Sequence, residues 1–437
     1  MRSILVLALL FAGGAAAQPV ARLDGWAVLP AETIIAAPGD AGADLRASGK
    51  FTQSDRPRPA GPSTMKLDGG ALPAAGQVVQ GFSALRGAGD GSFWALSDNG
   101  FGAKANSPDA MLMLHRLQID WAAQRTRILE TVFLSDPQAI APFRIAQEGA
   151  ATRYLTGADF DPESLVVRAD GGFVIGDEFG PYLLGFDAAG RLQWVVETTI
   201  DGRTVRSPDN PKQGVPDAGD ISRAEVRRSR GFEGLTAGAD GKTLYAMLEG
   251  PVRNQGAPEA GLRILAFDLA AEKWTGQSWL YALEDPSHAI GEIALIAPDR
   301  ALVIERDGGQ GLATTACRPE PPNVAPVRPP FPSCHPDPAR FKRVFVVDLP
   351  KEGGGAHKRA SIDLLAIADP KRQAPSTAKD GRFSFPFQTI EAIEPLADGR
   401  LLIANDNNYP FSDGRRPAYL DATEFILLTP PAGYLKP

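Results

Sequence analysis

The residues best suited to chemistry are carboxylates and carboxamides that recur at similar places along the chain. Asp98 and Asn99, Asp177 and Glu178, Glu249, Glu305, and Asn405, Asp406 and Asn407 each close a short apolar run. Glu163, Glu233, Glu292 and Glu394 each fall near the opening of the apolar run before it. Oxygen donors gathered in one place repel one another, and each carboxyl pKa rises unless a counter-charge arrives. Calcium supplies that charge through about six to eight oxygen ligands. The expected cation-binding set is therefore Glu163, Asp177, Glu233, Glu292, Glu394, Asp98, Asn405 and Asp406, with calcium as cofactor. Glu178 and Glu249 are the expected general bases, since each follows a second strand where a channel would open. His288, just before Gly291 and Glu292, is a third catalytic candidate. Each acid taken singly has a structural alternative, in which it accepts backbone N–H bonds. Asp170-Gly171, Asp240-Gly241 and Asp398-Gly399 are hairpin turn chemistry and nothing more.

Other reaction centres are missing from the sequence. There is no GxSxG elbow, Walker loop, HExxH, or GxGxxG after a strand. The chain has 4 histidines and none pairs with another at ligand spacing, which argues against a histidine-rich zinc site.

The elements that must position these oxygens are β-hairpins. GFEGLTAGADGKTLYAMLEG from Gly231, DPESLVVRADGGFVIGDEFG from Asp161, GEIALIAPDRALVIERDG from Gly291, EAIEPLADGRLLIANDNN from Glu391 and GFSALRGAGDGSFWALSDNGFG from Gly81 share one outline. A strand turns tightly into an apolar partner that ends in polar groups. Two further strands follow most copies: Met111 to Ile119 with Arg127 to Leu134, Tyr182 to Phe186 with Leu192 to Glu197, Arg263 to Asp268 with Gln277 to Leu283, and Arg343 to Asp348 with Ala360 to Leu365. The last copy has only Glu424 to Leu428, and Gly25 to Leu29 can supply its missing outer strand. Pairing the chain ends in this way removes exposed sheet edges. The expected fold is all-β, a β-propeller with five recognisable four-stranded blades closed by the N- and C-terminal strands. A sixth blade would have to come from the poorly patterned stretch between Ile34 and Val79.

MRSILVLALLFAGGAAAQ reads as a secretory signal cut after Ala17. Its apolar run from Ile4 to Ala12 is too short to span a bilayer. This predicts a signal over 1–17, an N-terminal segment over 18–80 carrying the closing strand, and a propeller domain over 81–437. Export to the periplasm or the medium is expected, without membrane insertion. A mature chain of roughly 420 residues exceeds the size of one hydrophobic core, as a ring architecture would require. The net charge of −7 makes nucleic acid a poor partner. A small-molecule ester or phosphate ester and a monomeric state are expected instead. Inserts at 201–230 and 312–341 interrupt the ring. The first carries Arg223, Arg227, Arg228 and Arg230, and Arg227 and Arg228 are expected to hold an anionic group. Tyr182 and Tyr409 are expected as substrate contacts. Cys317 and Cys334 flank the second, proline-rich insert and are expected to form a disulfide.

SDNGFG at Ser97, DPESLV at Asp161, GDEFGPY at Gly176, SRGFEGL at Ser229, and IEPL at Ile393 with NDNNYPF at Asn405 together resemble the esterase-like activity of phytase family. The resemblance runs from about Gly81 to Leu428. It implies a propeller with hydrolytic activity on esters, and it carries over no agreed catalytic set. Two readings follow. One is an exported calcium-dependent hydrolase of phosphate or carboxylic esters, lactones included. The other is a non-catalytic ligand-binding or scaffolding propeller with structural calcium. A true phytase would need several Lys and Arg converging on the channel, and only Arg168, Lys242 and Arg306 lie near it in sequence.

Overall fold

The computed structural model describes residues 20–52, 72–213, 224–253, 261–318 and 333–436. The expected signal, Arg223 and the middles of both inserts lie outside these residues. The described residues build five four-stranded antiparallel blades. The first is Phe82–Gly87, Phe93–Ser97, Met113–Asp120 and Arg125–Phe133. The second is Pro162–Val167, Phe173–Asp177, Tyr182–Phe186 and Leu192–Glu197. The third is Phe232–Ala237, Thr243–Leu248, Gly261–Asp268 and Lys273–Ala282. The fourth is Ala289–Ala297, Arg300–Arg306, Lys342–Asp348 and His357–Asp363. The fifth is Ile390–Pro395, Leu401–Asn405 and Thr423–Thr429, completed by Arg22–Leu29.

The N-terminal strand runs antiparallel to the last strand, from Arg22 opposite Thr429 to Leu29 opposite Thr423. The ring is therefore closed by pairing of the two chain ends, as the missing outer strand of the last blade predicted. No sixth blade forms among the described residues. The Ile34–Val79 stretch contributes only the short pair Ile34–Ile35 with Gln77–Val78.

Strand periodicity explains how the ring holds together. In Phe173–Asp177, Phe173 and Ile175 face the first blade's Leu96 and Leu114, while Val174 faces the third blade's Phe232 and Leu244. Both faces of a middle strand are thus buried, so such strands read as continuous apolar runs rather than as alternation. One apolar cluster fills each of the five seams between neighbouring blades. Burying one such side chain is worth about 1.5–3 kcal/mol, so the seams dominate the cohesion of the ring.

The inner strands meet in order around the axis, and the first touches the fifth. Each carries the same one-residue register shift near its start: between Phe82 and Ala84, Pro162 and Ser164, Phe232 and Gly234, Ile290 and Glu292, and Ile390 and Ala392. A bulge of this kind leaves one residue unpaired and re-aims its side chain. That feature positions the site.

Candidate functional site

Two rings of side chains stand at the end of the channel where the inner strands begin. The bulged residues are Ser83, Glu163, Glu233, Gly291 and Glu391. The second-strand residues that follow the partner of each pre-bulge residue are Asp98, Glu178, Glu249, Arg306 and Asp406, of which Arg306 is still paired, with Ala289. Backbone bonds fix three of the latter in the same way. Asp98 N–H donates to Gly81, Glu178 N–H to Asp161 and Glu249 N–H to Gly231, each just ahead of an inner strand.

Within this mouth, carboxylate oxygens of Asp161, Glu163 and Glu178 all lie within 4.8 Å of one another. Those of Glu178, Glu233 and Glu249 do the same. Glu178 belongs to both groups because it sits on the seam between the second and third blades. A Cβ on Gly231 would meet the Glu178 Cα at 2.4 Å, so only glycine admits this approach. Burial is nearly complete for Glu178, Glu233 and Glu249, at 4%, 3% and 5% exposure. Glu163 is half-buried. Glu178 Oε1 and Glu233 Oε1 are buried without a hydrogen-bond partner among the described residues.

Electrostatics follow from this crowding. Burial, then neighbouring carboxylates, hold Glu163, Glu178 and Glu233 well above the ordinary range. Burial likewise pushes Glu391 and Asp406 up to about 8 and Asp161 up to about 7. Arg306 relieves part of the load. It stands where other blades carry an acid, and its Nη2 is 2.7 Å from Glu391, 3.5 Å from Glu249 and 3.7 Å from Glu233. Arg230 pairs with Glu249. Neither arginine pairs with Asp161, Glu163 or Glu178 among the described ion pairs. Lys104 lies at this side of the mouth over the Phe179 ring at 4.8 Å, and Asp177, Asp209, Asp159 and Asp161 are its charged neighbours.

The donor set fits a hard cation. Calcium–oxygen bonds of about 2.3–2.6 Å keep any two ligands of one ion within about 5.2 Å of each other, a limit that both groups satisfy. The uncommitted buried oxygens point the same way, because an unpaired buried acceptor costs about 1–3 kcal/mol or more when charged.

The structure places Glu163, Glu178, Glu233, Glu249, Asp98 and Asp406 at the mouth. It places the other expected residues elsewhere. Glu292 follows the bulge rather than occupying it. Its carboxylate pairs with Arg86 at 2.8 Å and accepts the Leu235 and Ile293 N–H groups. Glu394 lies lower on its strand and accepts the Gly87 N–H at 2.9 Å, stitching the fifth blade to the first. Asn405 is spent on Glu424 N–H and on the Asp406 and Ala422 carbonyls. Asp177 accepts Asp161 N–H at 2.8 Å and Gly180 N–H at 2.6 Å, so it positions Asp161 and is itself committed. His288 bonds Glu305 at 2.8 Å and packs on Phe341, joined to Glu305 rather than to the mouth carboxylates. Glu305 is saturated there by Tyr281, Lys358 and the Glu284 N–H as well.

Tyr182 and Tyr409 are 1% and 2% exposed and belong to the apolar core, so neither presents a face to a ligand. Arg228 pairs with Asp209, and Arg227 is exposed. Ser207 and Asn210 of the same insert bond the Phe179 and Gly180 carbonyls, which brings Asp209 and its partner Arg228 beside the mouth. Cys317 and Cys334 form the expected disulfide.

Sequence reasoning missed Asp161, Glu391, Lys104 and the site role of Arg306. A signal for Glu391 existed. GFSA, DPES, GFEG, AIGE and TIEA align at 81, 161, 231, 289 and 389, and their third residues are the bulge ring.

A family model described as phytase-like, esterase-like activity of phytase, matches residues 77–409. An uncharacterized secreted protein of Arthroderma benhamiae is 30% identical over 181 residues, 35% of this chain and 35% of that protein. The match thus spans about a third of this curated relative's length. Among solved structures, a GH43 β-1,3-galactosidase with galactodeoxynojirimycin is 11% identical, covering 80% of this chain and 91% of that one at a TM-score of 0.40. The WD40 repeats of RRP9 are 9% identical, covering 80% and 94% at a TM-score of 0.32. Likenesses this distant carry no active site across. Among the described residues no helix is long and apolar enough to cross a membrane.

Proposed function

From the premise that this chain belongs to the phytase-like family, whose description is esterase-like activity of phytase, we propose that it is an exported hydrolase of esters. Its site is the carboxylate mouth of the propeller, and calcium is the cation that suits it. The observation that carries this reading is the oxygen set of Asp161, Glu163 and Glu178, which lies within 4.8 Å and has no arginine partner described. Glu163 is the most exposed of the three, which supports access to the group from solvent. When bound there, a hard divalent cation supplies polarisation of an ester oxygen and orientation of a water. The chain's own residues do the rest. Asp177 fixes the Asp161 backbone. Arg306 holds Glu391 on the same ring as Glu163.

Glu391 is the proton-transfer group in this reading. Its carboxyl keeps a proton up to about pH 8 without a cation, and a neighbouring positive charge lowers that toward neutrality, where general acid–base exchange is efficient. Glu249 is occupied by Arg230 and Arg306, and Glu178 is a corner of both oxygen groups, so the base role expected of them passes to Glu391. Lys104 stands beside the mouth, and Arg228, whose side chain is half-exposed, can leave Asp209 to hold an anionic group with it. Arg306 and Arg230 are spent on carboxylates, which supports a general esterase above a phytase. The substrate is a small-molecule ester, the chain acts as a monomer, and export is to the periplasm or the medium. The secreted description of the fungal relative supports export.

A second reading has its own observation. Glu178, Glu233 and Glu249 are almost wholly excluded from solvent, which suits a structural ion in a binding propeller without turnover. The deciding experiment is hydrolysis of carboxylic esters, lactones and phosphate esters by the mature chain, before chelation, after it, and after calcium is restored. Activity that follows calcium supports the hydrolase and names the ester class. Calcium that raises the melting temperature with no turnover supports the binding propeller.

A further inference from the structure

We propose that the mouth takes a second hard divalent cation, held by Glu178, Glu233 and Glu249 and sharing Glu178 with the first. The inference rests on the reading of Asp161, Glu163 and Glu178 as a cation site and extends it to a paired centre. The oxygens of this second group lie within 4.8 Å of one another. An acidic cluster alone would not suffice. The independent observation is that Glu178 Oε1 and Glu233 Oε1, on side chains 4% and 3% exposed, have no hydrogen-bond partner among the described residues. Arg306 Nη2 approaches Glu233 Oε1 only to 3.7 Å, beyond hydrogen-bond reach, so two buried acceptors on neighbouring blades remain for a positively charged ligand.

The rival occupants are Arg306 and Arg230, and their geometry decides between them. Arg306 bonds Glu391 at 2.7 Å but stands 3.5 Å and 3.7 Å from Glu249 and Glu233. It therefore keeps its main partner when a cation enters. Arg230 pairs with Glu249 from a side chain that is 43% exposed. It can swing into water because its own head is exposed, and the incoming cation replaces the charge that it withdraws from the buried Glu249. A divalent ion with several oxygen ligands outcompetes such a pair. Glu178 serves both positions because Gly231 lets its backbone rest on the third blade.

The test is calcium titration of the chelated chain by calorimetry, with terbium luminescence as a second probe. Two ions per chain are expected. Asp161→Asn should leave one, Glu233→Gln should leave one, and Glu178→Gln should weaken both. Arg230→Gln should tighten the second site, an effect that a purely structural arginine would not produce. It decides the matter even if a carboxamide variant fails to fold, which circular dichroism would reveal. One ion, indifferent to Glu233→Gln and Arg230→Gln, overturns this inference and leaves the first site standing. No ion overturns both sites. Two ions without ester turnover sustain this inference and remove the hydrolase reading.

Discussion

Arg306 donates through Nη2 to Glu391 Oε1 at 2.7 Å, and this bond ties the fourth blade to the fifth across the channel mouth. It sets the one cation of the strand-end ring against an acid of the bulge ring. Breaking a buried pair by removing one partner costs about 3–5 kcal/mol, because the other charge is left uncompensated. Arg306→Met should therefore lower stability by about that amount at pH 8, by urea denaturation. The loss should shrink at pH 5, where the carboxyls can take protons instead.

The pH dependence of the metal-free chain has a definite sign. Asp161, Glu391 and Asp406 have folded pKa values pushed up to about 7, about 8 and about 8, mainly by burial. Unfolded carboxyls ionise near pH 4. Between these limits the folded chain holds more protons, so its stability falls as pH rises. The expected result is a melting temperature that drops from pH 5 to pH 8 after chelation and recovers at pH 8 with calcium. Calcium binding at pH 6–7 should also release protons, visible as a buffer-dependent binding enthalpy.

Gly231→Ala probes the seam. The added Cβ would lie 2.4 Å from Glu178 Cα, a contact that only a backbone shift can relieve. Calcium affinity should fall by at least about tenfold, or 1.4 kcal/mol, in a chain that still shows a strand-rich circular dichroism spectrum. Unchanged affinity would mean that Glu178 does not depend on this contact.

The architecture was legible because each blade repeats a hairpin whose polar ending survives even where other residues change. Tyr182 to Phe186 and Leu192 to Glu197 were readable to the residue, and the closing strand followed from the need to pair an unfilled edge. Glu163 and Glu233 were legible as openings of their strands. Glu292 and Glu394 were misjudged because a bulge shifts the register by one residue, and counting acids near a strand start does not detect that shift. The fifth blade's bulged residue, Glu391, lies next to the first residue of the same strand, Ile390. Tyr182 and Tyr409 looked like a rim because both follow polar strand ends. Whether a loop folds an aromatic inward depends on packing between distant segments, such as Tyr409 against Ala74 and Val78, and no local pattern records that.

These tyrosines make a further prediction. Tyr409→Ala should cost about 3–5 kcal/mol, as large-to-small core changes of aromatics do, while Arg228→Ala should leave stability almost unchanged. If an ester is turned over, Arg228→Ala should raise KM for anionic substrates more than for neutral ones. Steady-state kinetics beside thermal melts separate the two effects.

The central claim is that the channel mouth is a cation site built from carboxylates of neighbouring blades. The most direct measurement is an anomalous difference map from crystals of the protein grown with terbium in place of calcium. The account predicts a peak among the oxygens of Asp161, Glu163 and Glu178. A mouth without a peak, with Arg230 and Arg306 filling the space between the carboxylates at saturating terbium, would contradict it.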